Sequence, residues 1–200
     1  MLRLNIRIAA VQQHAKFQAI TLITPTAAMA ADVHGGRAKC LQRLIRLDMP
    51  VPKTIALSFD AVNRIAKGEI PDTDELLAPF GDTPLVSIRP SSQDPDWGGP
   101  GAILNIGMNA AQHARLCDKI GEAAATRLYL RFVQSYAVHV HRLDPEAFEY
   151  PDCSDAESLK RALEAYEFET DEEFPDDPAV QLGDALRSMA RAWEGTTARL

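Results

Sequence analysis

Leu85-Val-Ser-Ile-Arg-Pro-Ser-Ser-Gln-Asp-Pro-Asp-Trp-Gly-Gly-Pro-Gly-Ala-Ile-Leu-Asn105 is the stretch from which the rest of the chain is read outward. A short β-branched run, Leu85–Ile88, predicts a strand that ends on Arg89. A loop rich in glycine, proline, hydroxyl and amide groups follows, and Ala102–Ile106 predicts a second strand stopped by Gly107. A guanidinium at a strand end is a rigid fork of donors, and glycine lets backbone N–H groups come close to oxygens. Together they suit a polyphosphate. Read alone, Arg89 is better taken as a surface arginine after a strand. Gly98-Gly99-Pro100-Gly101 reads as well as a turn cluster, because no Walker-type lysine follows it.

Upstream, His34-Gly35-Gly36-Arg37 opens a helix predicted from about Gly36 to Leu47. Cys40, Leu41, Leu44, Ile45 and Leu47 form its apolar face, with Lys39, Arg43 and Arg46 on the solvated side. Asp48-Met-Pro-Val-Pro52 ends it, and Thr54–Leu57 reads as a short buried strand. Ser58 or Asp60 starts a helix carrying Ala61, Val62, Ile65 and Ala66, stopped at Lys67-Gly68. Residues 69–84 form a connection with one helical turn around Asp74–Leu77.

Downstream only helices are expected. Asn109 caps one that Gly121 stops. Glu122 to about His141 forms the next, with Leu128, Phe132, Tyr136 and Val140 recurring every four residues. Ser154 caps a helix through Ala165, and Asp177 or Pro178 opens a last helix to about Trp193. The order predicts an α+β fold: a leader or first strand in 1–31, an α/β lobe over 32–107 and a helical annex over 108–200.

Two hundred residues are enough to bury a substantial core. A net charge of −7 argues against a general nucleic-acid binder. The acids concentrate between Asp144 and Asp177, which reads as annex surface or a connection, whereas the first half is mildly basic. No apolar run has the length of a membrane span. Residues 17–31 loosely imitate a signal peptide, but Gln18, Thr21, Thr24 and Pro25 break the apolar segment, and a strand at Ala19–Ile23 is the preferred reading. Cys40, Cys117 and Cys153 are too few and too widely spaced for a disulfide framework or zinc motif. Cys40 and Cys117 are expected to pack as small apolar residues, and the expected setting is a reducing cytoplasm. His113 and Cys117 can face each other, while His139 and His141 point to different helix faces and share no metal. Trp97 could stack on a base or anchor its loop.

Several stretches, in order, resemble the nucleotide-binding domain of the pyruvate, phosphate dikinase and phosphoenolpyruvate synthase family. They are Gly35-Gly36-Arg37-Ala38, Leu47-Asp-Met-Pro-Val-Pro52, Leu85-Val-Ser-Ile-Arg89, Ala102-Ile-Leu-Asn-Ile-Gly-Met-Asn109, Arg131-Phe-Val-Gln-Ser-Tyr136, and Phe174-Pro-Asp-Asp-Pro-Ala-Val-Gln-Leu182 through Trp193. The resemblance covers about residues 33–199. It implies the N-terminal lobe of an ATP-grasp-like domain that binds Mg·ATP and phosphorylates a histidine on another domain, from which pyruvate later takes the phosphoryl group. Arg37 stands at the family's phosphate-binding lysine, and Arg89 at its nucleotide-phosphate arginine. Gly35, Gly36, Ser91 and Ser92 complete the implied phosphate site.

The chain also departs from the family. Ala38 replaces a glycine, and the loop 90–101 differs from the dikinase pattern, with Ser91-Ser92 resembling the synthase branch. The resemblance implies that the second ATP-grasp lobe, with its Mg²⁺ ligands, the phosphohistidine domain and the barrel, lie outside this sequence, on a missing segment or a second chain. The expected reading is an ATP-binding lobe with neither catalytic residues nor metal ligands of its own. A non-catalytic regulatory or interaction module derived from the same fold is the alternative.

Overall fold

A computed structural model describes residues 19–92 and 99–197. The leader through residue 18, Trp97 and Gly98 lie outside the described residues. The chain is mixed, with short strands in its first half and helices after Ile106. The order is β1 (Ile20–Leu22), α1 (Ala31–Arg46), β2 (Ile55–Leu57), α2 (Phe59–Ala66), α3 (Thr73–Leu77), β3 (Val86–Ile88), β4 (Ile103–Ile106), α4 (Ala110–Ile120), α5 (Glu122–His139), α6 (Asp155–Thr170) and α7 (Pro178–Thr197). Short 3₁₀ turns follow α3 and precede α6. This agrees with the α+β expectation.

The strands form two antiparallel pairs. β1 pairs β2 with Thr21 opposite Ala56, and β3 pairs β4. Val86 faces Ile106 and Ile88 faces Ile103, so β4 carries one extra residue, a bulge. Asn105 sits there with φ 62°, a left-handed conformation that asparagine tolerates better than most residues. At Gly107 (φ 101°) a Cβ would lie 2.0 Å from the Pro84 carbonyl, so only glycine fits. Asn109 then caps α4 by accepting the Gln112 N–H at 2.8 Å. The Leu-Asn-Ile-Gly-Met-Asn run is thereby a bulge, a close backbone crossing and a helix cap in succession.

Gln181, fully buried on α7, completes this joint. Its Oε1 accepts the Gly107 N–H at 2.7 Å, and its Nε2 donates to the Met108 and Pro175 carbonyls at 2.9 and 2.7 Å. Asn109 Nδ2 donates to the Asp176 carbonyl at 2.9 Å. Two of the family-like stretches, more than 60 residues apart in sequence, thus meet to dock α7 on β4. From there α7 buries Leu182, Ala185, Leu186, Met189, Ala190 and Trp193, the three-and-four spacing of one helical stripe.

The main core runs from α2 and α3 through β4 into α5, α6 and α7. On α5 the buried positions are Ala125, Thr126, Tyr129, Leu130, Phe132, Val133, Tyr136 and Ala137. Phe174 inserts its ring edge-on against Phe132, at 5.6 Å and 90°, and against Tyr166, at 5.0 Å and 72°. A smaller cluster of Ile23, Met29, Ala38 and Ala56 holds α1 on the first strand pair.

Four expectations are corrected. The α6 helix runs on to Thr170 and α7 to Thr197, while α5 ends at His139. Within the acidic segment, Asp155–Thr170 is the helix α6, annex surface and not a connection, whose inner side buries Leu159, Ala162 and Tyr166. Cys40 is exposed, as is Leu47, while Leu41, Leu44 and Ile45 are half-buried, so the buried face of α1 is only partly the one expected. It is rotated toward Ala38 and Gln42, because the fully buried Gln42 amide donates to the Thr24 and Ala27 carbonyls at 3.0 and 2.7 Å. Lys39 is no solvated lysine: its Nζ donates to the Met29 carbonyl at 2.9 Å and to Gln42 Oε1 at 3.3 Å.

Candidate functional site

The run Ala31–Arg46 is two helical pieces joined at Gly35, which has φ 84° and ψ 160°. The longer piece therefore begins at Gly36, as its sequence predicts. A new helix start exposes N–H groups that need acceptors. The loop after β3 supplies them: Gly36 N–H donates to the Ser92 carbonyl at 2.8 Å, and Arg37 N–H donates to Ser91 Oγ at 3.1 Å. Ser91 thus caps a helix 54 residues away in sequence. A Cβ on Gly35 would lie 2.2 Å from Ser91 Oγ, so this approach requires glycine for its contact as well as for its φ.

Beside this junction lies a cleft of about 760 Å³, within the range of small-molecule sites. Arg37, Arg89 and Ser91 line it. Gly35, Gly36 and Ser92 do not; they form the backbone turn behind it. The structure therefore brings together all six residues expected at the phosphate site, in two tiers. Ser91 Oγ accepts one N–H, and a hydroxyl in that state still has a proton to donate. Arg37 and Arg89 are exposed, and among the described residues neither has a carboxylate partner.

Two further lining residues escape the sequence reading. Lys53 adds a third cation to the cleft wall, and its Nζ donates to the Pro79 carbonyl at 2.5 Å. Its place directly after Pro50-Val-Pro52 was the available signal. Trp193 also lines the cleft. Its ring stacks on Phe59 with centroids 5.2 Å apart, and its Nε1–H donates to the Ser91 carbonyl at 2.9 Å. No aspartate or glutamate lies among the described lining residues. In a chain of net charge −7, a cleft with three cations and, among its described lining residues, no carboxylate suits an anion. The remaining walls, including Leu41, Ile55, Val62 and Met189, are apolar.

The other sequence candidates lie elsewhere. His113 and Cys117 do face each other, Sγ 3.6 Å from Nε2, and the same Nε2 lies 3.0 Å from Thr126 Oγ1. His141 lies 2.8 Å from the Tyr166 hydroxyl, and His139 stands apart from it at the end of α5. Among the described residues there is no group of three His, Cys, Asp or Glu suited to a metal ion. Gly101 has open space around it, and nothing there contacts the cleft. Among the described residues, no helix is long and apolar enough to cross a membrane.

No protein-family model matches the chain. Among curated proteins it is similar to the pyruvate, phosphate dikinase of Clostridium symbiosum, 25% identical over 201 residues. The match takes in 82% of this chain and 23% of the dikinase, so the chain spans about a quarter of its relative's length. The relationship to pyruvate, phosphate dikinase is a distant one.

Proposed function

We propose that this chain is a nucleotide-phosphate-binding lobe of a pyruvate, phosphate dikinase-like phosphotransferase, in which Arg37 and Arg89 hold the phosphates of ATP. The carrying observation is that both arginines line one cleft, with no carboxylate among its described lining residues, beside the bonded junction of Gly35-Gly36-Arg37 with Ser91-Ser92. The cleft suits a nucleotide triphosphate in its donor set as well as its sign. Two guanidinium groups and a hydroxyl proton face the anion, and apolar walls remain for a base. Fixed cations of this kind neutralise charge on a phosphoryl group and reduce its repulsion of an incoming nucleophile.

Mg²⁺ would enter with the phosphates, since it binds through substrate oxygens and one or two carboxylates. The described residues offer no carboxylate on the cleft wall, so the ligands are assigned to another segment or chain. In this reading the 32–107 region is the α/β lobe of an ATP-grasp-like domain, α4–α7 are its annex, and the second lobe is supplied from elsewhere. The phosphoryl acceptor would be a histidine on another domain, with pyruvate and phosphoenolpyruvate as the final partners.

Calorimetric titration of the full chain with Mg·ATP tests the reading. Saturable binding is expected, weakened by about tenfold or more in Arg89→Ala, the loss of a charge-assisted contact. Absence of binding, or an Arg89→Ala variant that binds as the parent does, overturns it in favour of a module that has kept the fold without the ligand.

A further inference from the structure

We propose that Trp193 is a positioning residue for the phosphate side of the cleft, an inference that rests on the nucleotide reading above. Arg37 and Arg89 belong to different elements, so the space between their guanidinium groups is set by whatever fixes the loop after β3 against α1. On one side the fixture is Ser91 Oγ under the Arg37 N–H, with Ser92 under Gly36. On the other side it is the indole N–H of Trp193 on the Ser91 carbonyl. Ser91 is therefore gripped at its side chain by α1 and at its backbone by α7, and Arg89 is two residues before it.

The indole is itself held. It is buried, stacked on Phe59 in the first turn of α2, and carried by a helix that Gln181 docks to β4. A rigid donor on a docked helix transfers the position of the helical annex to the anion-binding loop. Phenylalanine at 193 would keep an aromatic ring against Phe59 but would lose the N–H, leaving the Ser91 carbonyl to find another donor. In this role Trp193 acts on the phosphates through Ser91.

The test uses the full chain and three probes: Mg·ATP, Mg·tripolyphosphate (phosphate without base) and adenosine (base without phosphate). Trp193→Phe is expected to weaken Mg·ATP and tripolyphosphate binding about fivefold to tenfold, the scale of one hydrogen bond, and to leave adenosine unchanged. Equal weakening of all three probes marks Trp193 as merely structural and overturns the proposal, as does unchanged tripolyphosphate binding. A second measurement needs no variant at 193. The chain has two tryptophans, so Trp97→Phe assigns the indole N–H resonances. The Trp193 resonance must move on adding tripolyphosphate, and a stationary one overturns the proposal. If the parent chain binds neither ATP nor tripolyphosphate, the nucleotide reading falls and this inference with it. If it binds both through Arg89 with no response at Trp193, this inference alone falls.

Discussion

The aromatic interior of the annex and the cleft beside α1 are built on opposite rules. Around Phe132, Tyr136, Tyr166 and Phe174, rings pack edge to face and the polar tips are satisfied: Tyr136 donates to Asp184 Oδ2 at 3.1 Å, and the Tyr166 hydroxyl meets His141 Nε2 at 2.8 Å. Around the cleft, cations stay exposed on a turn that needs a glycine at φ 84°. The annex maximises burial, and its residues answer to stability. Among the described residues the cleft arginines have no carboxylate partner, and Gly35 holds a backbone that only glycine adopts readily, the pattern expected of residues kept for a ligand, as proposed above. Substitution should therefore separate the two regions: large stability losses with little change in ligand binding in the annex, and the reverse at the cleft arginines.

The largest expected effect is in the annex. Phe132 is fully buried and contacts both Tyr136 and Phe174, so Phe132→Ala should cost about 3–5 kcal/mol in urea denaturation. Next is the Gln181 joint. Gln181→Ala leaves the Gly107 N–H and two carbonyls without that partner, and a loss of about 2–4 kcal/mol is expected by the same measurement. The comparison sharpens at two glycines. Gly35→Ala combines positive φ with a 2.2 Å overlap on Ser91, whereas Gly68→Ala (φ 100°) meets nothing within 4 Å. Gly68→Ala should cost about 1 kcal/mol from strain alone, and Gly35→Ala clearly more, with loss of Mg·ATP binding. Equal costs would show that the junction yields readily, and would break the distinction drawn here. At the cleft, Arg89→Ala should change stability by less than about 0.5 kcal/mol, since exposed positions outside tight packing are tolerant.

Much of the fold was legible because its signals are local. Ser58, Asn109 and Ser154 cap the helices their sequence context assigns to them, each accepting an N–H three residues on. Proline and glycine marked the breaks around 48–52 and at Gly121. What could not be read was tertiary. A glutamine counts as polar in any periodicity, so nothing marked Gln42 and Gln181 as buried, and the face of α1 was placed only partly, because of the turn that Gln42 commands. Cys40 was assigned to the interior on residue type, but the rotation of that helix exposes it. The six residues proposed for a phosphate site were singled out only through order along the chain and family resemblance. Lys53 had only its place after Pro50-Val-Pro52 to mark it and Trp193 had no such mark, because their part depends on where β2 and α7 come to rest. A residue that acts through a neighbour, as Trp193 does through Ser91, leaves no spacing signature.

A further, pH-dependent effect lies where the annex is charged. Burial, and then the Asp184 carboxylate, raise the Tyr136 hydroxyl far above the ordinary tyrosine value of 10.0. The folded state therefore keeps this proton at pH values where the unfolded chain gives it up. The stabilisation is fully present below about pH 10 and is lost as pH rises from there toward the raised folded-state value. Tyr166, raised mainly by burial and then by Glu172, contributes in the same direction. Tyr136→Phe removes the hydrogen bond but leaves Asp184 its Arg187 contact at 3.1 Å, so a loss of about 1 kcal/mol is expected at pH 7. Above pH 10 the variant should lose stability less steeply than the parent, without becoming flat, because Tyr166 remains. Urea midpoints between pH 7 and 11 would show the two curves converging as alkalinity rises. Parallel curves would mean that the Tyr136 proton is not held by the fold, and that the satisfied annex and the charged cleft differ less than their geometry implies.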